Sequence, residues 1–254
     1  MSSSAAPVLL AIAHGTRDRA GIAVLERLAE AVRAELARQG QSGVGRQGQS
    51  GVSVQLCYVD VAAPSLADSL AGLHGPVVAV PLLLATGYHV AIDIPAVVDG
   101  YPDQITVTEP IGPDERISRV VQARLDELGT PAPEGIVVVA AGSSDPAARD
   151  QLAEVAGHLQ AGYRHRVLIG QLTDADPLAG VGPGTVVANY LLAPGFFDSK
   201  LRRIAAPRPV SAPIGAHPLV AERIVELYRK GCDQLAIGAG PTGRTQLGAE
   251  RRDL

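Results

Sequence analysis

Tryptophan is absent from the 254-residue chain, phenylalanine occurs only as Phe196 and Phe197, and aromatic residues amount to 3%. The chain is nevertheless 46% hydrophobic, so Val, Leu, Ile and Ala must fill the core. Long branched-aliphatic runs with few rings suit parallel strands covered by helices on both faces. Cysteine is as scarce. Cys57 and Cys232 stand far apart without a CxxC pair, and Cys57, inside an apolar run, reads as a buried free thiol. No apolar stretch approaches the ~20 residues that span a bilayer. Met1 to Pro7 lacks the basic flank and apolar core of a signal peptide, so a cytoplasmic protein is expected. A net charge of −4 gives no whole-molecule attraction to nucleic acid or to an anionic membrane, though it leaves room for a local basic patch.

The length fits one large domain or two of ordinary size. Strands are expected at Val8–Ala13, Val52–Val59, Val77–Leu84 and Ile105–Glu109. Between them, Ile22, Leu25, Leu28, Ala29, Val32 and Leu36 recur at helical spacing. Further helices are expected at Ser65–Leu73, with Ser65 as cap after Pro64, at Ile92–Val98 and at Asp114–Leu128. Strands alternating with helices imply βαβ units and a parallel sheet. Residues 129–135 (GTPAPEG) read as a linker.

Beyond the linker the plan recurs. The segment AAGSSDPA at 140–147 parallels AHGTRDRA at 13–20, LLAPGFF at 191–197 parallels LLATGYH at 83–89, and Pro213-Ile214-Gly215 parallels Pro110-Ile111-Gly112. Shared order and spacing indicate an internal duplication. The expected fold is α/β: two similar lobes, 1–129 and 136–237, each a parallel sheet flanked by helices, with a cleft between them and a flexible tail at 238–254. A different repeat, RQGQSGV at 38–44 and again at 46–52, reads as a mobile loop before the second strand, too polar to bury much surface.

Two histidines stand where an open parallel sheet places its ligands, beyond the carboxyl ends of its strands. His14 directly follows the first strand, and His89 follows the third. Neutral imidazole binds divalent transition metals and accepts protons near neutral pH. Taken alone, the pair is equally open to bland roles in loop hydrogen bonding or helix capping.

The run AHGTRD after the first strand, with PLLLATGYHVAIDIP after the third, resembles the class II tetrapyrrole chelatases, the sirohydrochlorin ferrochelatases and cobaltochelatases. The segment VDVAAPS at 59–65 and Pro110-Ile111-Gly112 extend the resemblance over residues 8–128 and, more faintly, the second half. It implies that His14 and His89 handle the metal and act catalytically, that a divalent metal, Fe²⁺ or alternatively Co²⁺ or Ni²⁺, is a substrate rather than a resident cofactor, and that the tetrapyrrole is sirohydrochlorin. Insertion releases two pyrrole N–H protons, which calls for a base that also holds the ion weakly.

Sirohydrochlorin carries eight carboxylates, so cations are expected along the cleft. Arg17 is the first candidate, then Arg19, with Lys200, Arg202 and Arg203 from the second lobe; a solvated surface charge is the alternative for each, and the more so for the last four. Thr16, Gly87 and Tyr88 are further substrate-side candidates, while Thr16 and Asp18 also suit loop shaping and helix capping. Asp60 reads as a turn residue or as a proton acceptor or aid to metal binding, Asp93 as a residue that caps or orients its neighbours, and His217 as an outside candidate. Ala141 and Phe197 replace the two histidines in the second half, which implies one active site and a monomer built as an internal pseudo-dimer. A non-catalytic tetrapyrrole or metal-delivery protein and a two-lobed small-molecule binder are the competing readings.

Loop length enters stability only logarithmically. Removing one copy of the 38–52 repeat is therefore expected to shift stability by less than ~1 kcal/mol and leave activity nearly unchanged, as measured by urea denaturation beside an activity assay.

Overall fold

The computed structural model describes residues 6–41, 51–87, 89–101, 104–130, 133–164 and 166–238. The first half alternates β1 (Val8–Ala13), α1 (Arg19–Gln41), β2 (Val54–Tyr58), α2 (Leu66–Ala71) and β3 (Val77–Pro81). A π-helical turn (His89–Asp93) then leads into α3 (Ile94–Val98), β4 (Ile105–Val107) and α4 (Glu115–Asp126). The second half runs β5 (Gly135–Ala140), α5 (Ala147–Gln160), β6 (Val167–Gln171), β7 (Thr185–Tyr190), α6 (Phe196–Ala205) and α7 (Pro218–Gly238). Both sheets are parallel, with strand orders β2-β1-β3-β4 and β6-β5-β7.

The duplication is thus visible as topology. In both sheets the first strand is central and the chain steps to one side and then the other. Where the second sheet lacks a fourth strand, Val210 makes an isolated parallel bridge to Val187. Each sheet is covered on both faces, which explains strands that are apolar throughout. Leu9, Ala11 and Ala13 of β1 face one cluster, while Leu10 and Ile12 face another.

The inner layer between the sheets holds α1, α4, α5 and α7, and here the halves interlock. Helix α4 of the first half packs on β7, and α7 of the second half packs on β3 and β4. One buried cluster therefore runs from Leu9 and Val78 through Tyr228 to Ile136 and Val186. At Gly231 on α7 a methyl group would lie 2.4 Å from a Val78 methyl, so glycine lets the helix sit close to β3. Tyr228, wholly buried, donates its hydroxyl to the Pro7 carbonyl at the start of the first lobe (2.7 Å).

Arginines brace the exchange. Arg223 of α7, with a side chain only 7% exposed, donates to Glu109 (2.9 Å) and pairs with Asp114 (3.3 Å) of the first half and Glu226 of its own helix (3.2 Å). Its Nε also reaches the Ile111 carbonyl (3.4 Å). In return, Arg124 of α4 donates twice to the Ile214 carbonyl (3.2 and 3.0 Å). Each Pro-Ile-Gly turn is thereby held by an arginine from the opposite half. His158 of α5 adds a link to Ser118 of α4 (3.1 Å).

Local boundaries follow from named groups. Ser65 caps α2 by accepting from the Asp68 N–H, and Asp114 caps α4 by accepting from the Arg116 N–H. β3 is shorter than expected because Pro81 has no N–H for the ladder and the Leu83 and Leu84 carbonyls turn to Gly112 and Tyr190. The 38–52 repeat needs a correction. Its first residues, 38–41, continue α1 rather than forming loop, since Arg38 and Gln39 both bind Glu35 one turn back while Leu36 is buried. Residues 42–50 and the tail at 239–254 lie outside the described residues.

Replacing Arg223 with Ala leaves the Asp114 carboxylate short of a partner and is expected to cost about 2–3 kcal/mol in urea denaturation. Burial opposes the charge of Asp114 and of Glu226. Arg116, with Arg223, outweighs it at Asp114, and Lys230 and Arg116 do so at Glu226, so both carboxyls stay below their usual range. Stability from these groups is fully present above the ordinary carboxyl range near ~4 and is lost as pH falls through the lowered values. A denaturation series below pH 5 should show that loss, reduced in the Arg223→Ala variant.

Candidate functional site in the cleft between the lobes

The carboxyl ends of β1, β3, β5 and β7 open onto one cavity of about 820 Å³, lined by both halves. It lies at the switch in strand order, where successive connections diverge and leave a crevice. The first half contributes Ala13 to Asp18, Val61 and Leu82 to Gly87; the second contributes Ala140 to Ser144 and Tyr190 to Asp198.

Two copies of one turn form the cavity floor. After β1, Gly15 adopts φ +98°, and a Cβ there would fall 2.0 Å from the Asp60 carbonyl oxygen. After β5, Gly142 adopts φ +94°, with Thr173 Oγ1 at 2.2 Å from the same imaginary atom. Only glycine fits either position. In the first turn the Asp18 N–H donates to Thr16 Oγ1 (3.1 Å) and the Ala20 N–H to Asp18 Oδ1 (2.8 Å). In the second, Asp145 N–H to Ser143 Oγ (3.1 Å) and Ala147 N–H to Asp145 Oδ1 (2.9 Å) repeat the pattern. Thr16 and Asp18 therefore shape the turn and cap α1, and Thr16 also lines the cavity.

The halves meet reciprocally at the rim. A Cβ on Gly87 would lie 3.0 Å from Ser143 Oγ, and one on Gly195, its counterpart, 2.9 Å from Thr16 Oγ1. Thr86 donates its N–H to Gln151 Oε1 of α5 (2.8 Å), and Tyr190 donates its hydroxyl to the Leu84 carbonyl (3.1 Å). Burial raises the pKa of Tyr190, which keeps the phenol a donor.

His14 is half-buried in the cavity wall, with Nδ1 3.3 Å from the Gly15 carbonyl oxygen. Its own carbonyl accepts from the Asp60 N–H (3.0 Å), so the backbone under the imidazole is fixed by the β2 end. Arg17 is exposed on the cavity lining. His89 opens the π-helical turn beyond Gly87, and its side chain, like all of Tyr88, lies outside the described residues.

Several expected residues are elsewhere. Lys200 donates to the Leu172 carbonyl (2.8 Å), and Arg202 binds Asp198 (3.0 Å) and the Ser211 carbonyl (3.1 Å). Neither of these lines the cavity, nor do Arg203 and Arg19, which are exposed on their helices. Asp60 is a turn residue whose carboxylate accepts from the Val61 N–H (2.8 Å). That bond accompanies a positive φ of 51° at Val61, an uncommon conformation for a β-branched residue, and places its side chain on the cavity. Asp93 stands at the N-cap position of α3 without a side-chain cap hydrogen bond. His217 caps α7, accepting from the Leu219 N–H (3.2 Å); burial and Arg124 lower its pKa, which favours that neutral acceptor. Cys57, buried in the sheet, has its thiol pushed up to about 12 by burial.

Among the described lining residues Arg17 is the one Lys or Arg, and the rest is largely Ala, Leu, Val, Gly and Phe. The expected row of cations is missing, and an apolar wall from the second half takes its place: Ala141, Leu191, Ala193, Pro194, Phe196 and Phe197. In the sequence Phe197 and Ala141 show only that histidine is replaced; the Gly-Phe-Phe triplet at the matching repeat position is the one further signal of this wall. Among the described residues, no three His, Cys, Asp or Glu side chains converge as a metal-binding group. No described helix is long and apolar enough to cross a membrane.

Comparison with known proteins places this geometry. The family model CbiX matches residues 8–128, the half that carries both histidines. The sirohydrochlorin ferrochelatase of Bacillus subtilis is 28% identical over 179 residues, covering 59% of this chain and 67% of that protein. The sirohydrochlorin cobaltochelatase of Saccharolobus solfataricus is 32% identical over 89 residues, covering 29% of this chain and 70% of that one. The crystal structure of the sirohydrochlorin chelatase SirB from Bacillus subtilis subspecies spizizenii, in complex with cobalt, superposes with a TM-score of 0.71 at 22% identity, over 90% of this chain and 96% of that one. The family model over residues 8–128 and the relative 32% identical, of which this chain covers 70%, show that the chain belongs to the CbiX family of sirohydrochlorin chelatases.

Proposed function

We propose that the chain inserts Fe²⁺ into sirohydrochlorin, in the pathway to siroheme, at one site per chain. The observation that carries the proposal is His14, which stands at the carboxyl end of β1 on a cavity that both halves close. In this reading the tetrapyrrole enters the cleft, the ion arrives as substrate, and His14 and His89 share two roles. They hold the ion loosely, and they accept the two protons that leave the pyrrole nitrogens as the metal enters. A neutral imidazole suits both, whereas a closed four-ligand site would retain the ion. Gly87 and Tyr88 bring the second loop to the substrate, and Arg17 meets a peripheral carboxylate. No resident cofactor is required, and the internal pseudo-dimer acts as a monomer.

Cobalt is the second reading for the metal, favoured by the match to archaeal cobaltochelatases. An anaerobic absorbance assay with sirohydrochlorin and Fe²⁺, Co²⁺ or Ni²⁺ at catalytic protein levels ranks the metals. Fastest spectral change with Fe²⁺ is expected. Binding of the macrocycle without turnover for any metal would instead mark a delivery protein.

His14→Ala and His89→Ala are each expected to slow insertion by roughly 10²-fold or more, the scale of losing a positioned proton acceptor. Sirohydrochlorin affinity, read by fluorescence quenching, should change by less than about tenfold, because these imidazoles act mainly in the transition state. Arg17→Ala should show the reverse pattern, a raised and less salt-sensitive KM with a nearly unchanged kcat. Near wild-type insertion by both histidine variants would rule out this mechanism.

A further inference from the structure

The chain contains two phenylalanines and no tryptophan, and both rings stand side by side at the first turn of α6, on the cavity that holds His14. Phe196 is 73% exposed and Phe197 38%. They meet edge to face, with centroids 5.4 Å apart and planes at 73°. Among the described residues the other exposed large hydrophobics are Val61 and Ile92, so two adjacent solvent-facing rings on the cavity need an explanation other than folding. Ala141, at the position matched to His14, lines the same cavity. His14 and Thr16 line the same cavity, and a Cβ on Gly195, next to Phe196, would lie 2.9 Å from Thr16 Oγ1, so the two rings stand beside the turn that carries His14.

We propose that the second lobe is the seat for the flat face of the macrocycle, with Phe196 as its stacking ring, so that the opposite face is turned to His14. This rests on the chelatase reading above and adds the part of the molecule that binds the ring. With Arg17 as the one Lys or Arg among the described lining residues, the cavity cannot meet eight carboxylates one by one. The carboxylates project toward solvent, and the conjugated face supplies the main contact. An aromatic ring against a planar conjugated system is favoured beyond the area it buries. The lobe that replaced both histidines thus acquired a different role, fixing which face of the macrocycle the metal meets.

The test uses the full chain and two metal-free probes with the same eight carboxylates: planar uroporphyrin and its puckered, reduced counterpart uroporphyrinogen, the latter under anaerobic conditions. The wild type should bind the planar probe more tightly. Phe196→Ala should weaken uroporphyrin binding about five- to tenfold, the range of an aromatic pair, and erase the preference for planarity, while Phe196→Trp restores both. A ring so exposed can be removed without loss of fold, which an unchanged melting temperature confirms. The double variant Phe196→Ala with Phe197→Ala should bind no better than the single one. Equal binding of uroporphyrin by wild type and both alanine variants would overturn the stacking role and leave the chelatase reading intact. Failure of the wild type to bind uroporphyrin and sirohydrochlorin alike would overturn the chelatase reading and this proposal with it.

Discussion

The exchange of α4 and α7 between the two sheets is the constraint on which the rest of the structure depends. Because each half is closed by a helix of the other, the sheets cannot shift independently. Arg223 on Ile111 and Arg124 on Ile214 then hold the turns that follow β4 and the Val210 bridge. With those turns fixed, the carboxyl ends of β1, β3, β5 and β7 face one another across a single cavity. The proposed chemistry depends on this arrangement, since a reacting group misplaced by about 1 Å can cost ~10²-fold in rate.

Duplication supplies the two walls, and divergence gives them different side chains. The turn after β1 and the turn after β5 keep the same glycine, the same hydroxyl and the same carboxylate cap, because those groups build the backbone. The groups that change lie at matching positions of the repeat: His14, on the cavity, against Ala141, and, in sequence, His89 against Phe197. One lobe retains imidazole and the other presents carbon.

Most of the sheet was legible in the sequence. Runs such as VLLAIA and VVAVP have the apolar content that a doubly covered parallel strand requires, and the AHGTRD and AAGSSD segments mark the turns at its carboxyl edge. The helix exchange was not legible. The apolar stripe on α7, from Val220 to Tyr228, says that the face is buried, not which sheet buries it; Gly231 and Val78 are far apart in sequence and meet only in the fold. Lys200 and Arg202 are illegible for a related reason, since a charge near a loop says nothing about the backbone carbonyl it reaches. Phe196 went unweighed because an exposed aromatic residue has no periodicity to betray it.

The central claim is that two lobes make one working site. Its most direct measurement is a titration of the full chain with metal-free sirohydrochlorin, followed by fluorescence quenching at protein concentrations well above the dissociation constant. Saturation at one macrocycle per chain is expected. Saturation at two, one for each lobe, would contradict the shared cavity and the division of labour built on it.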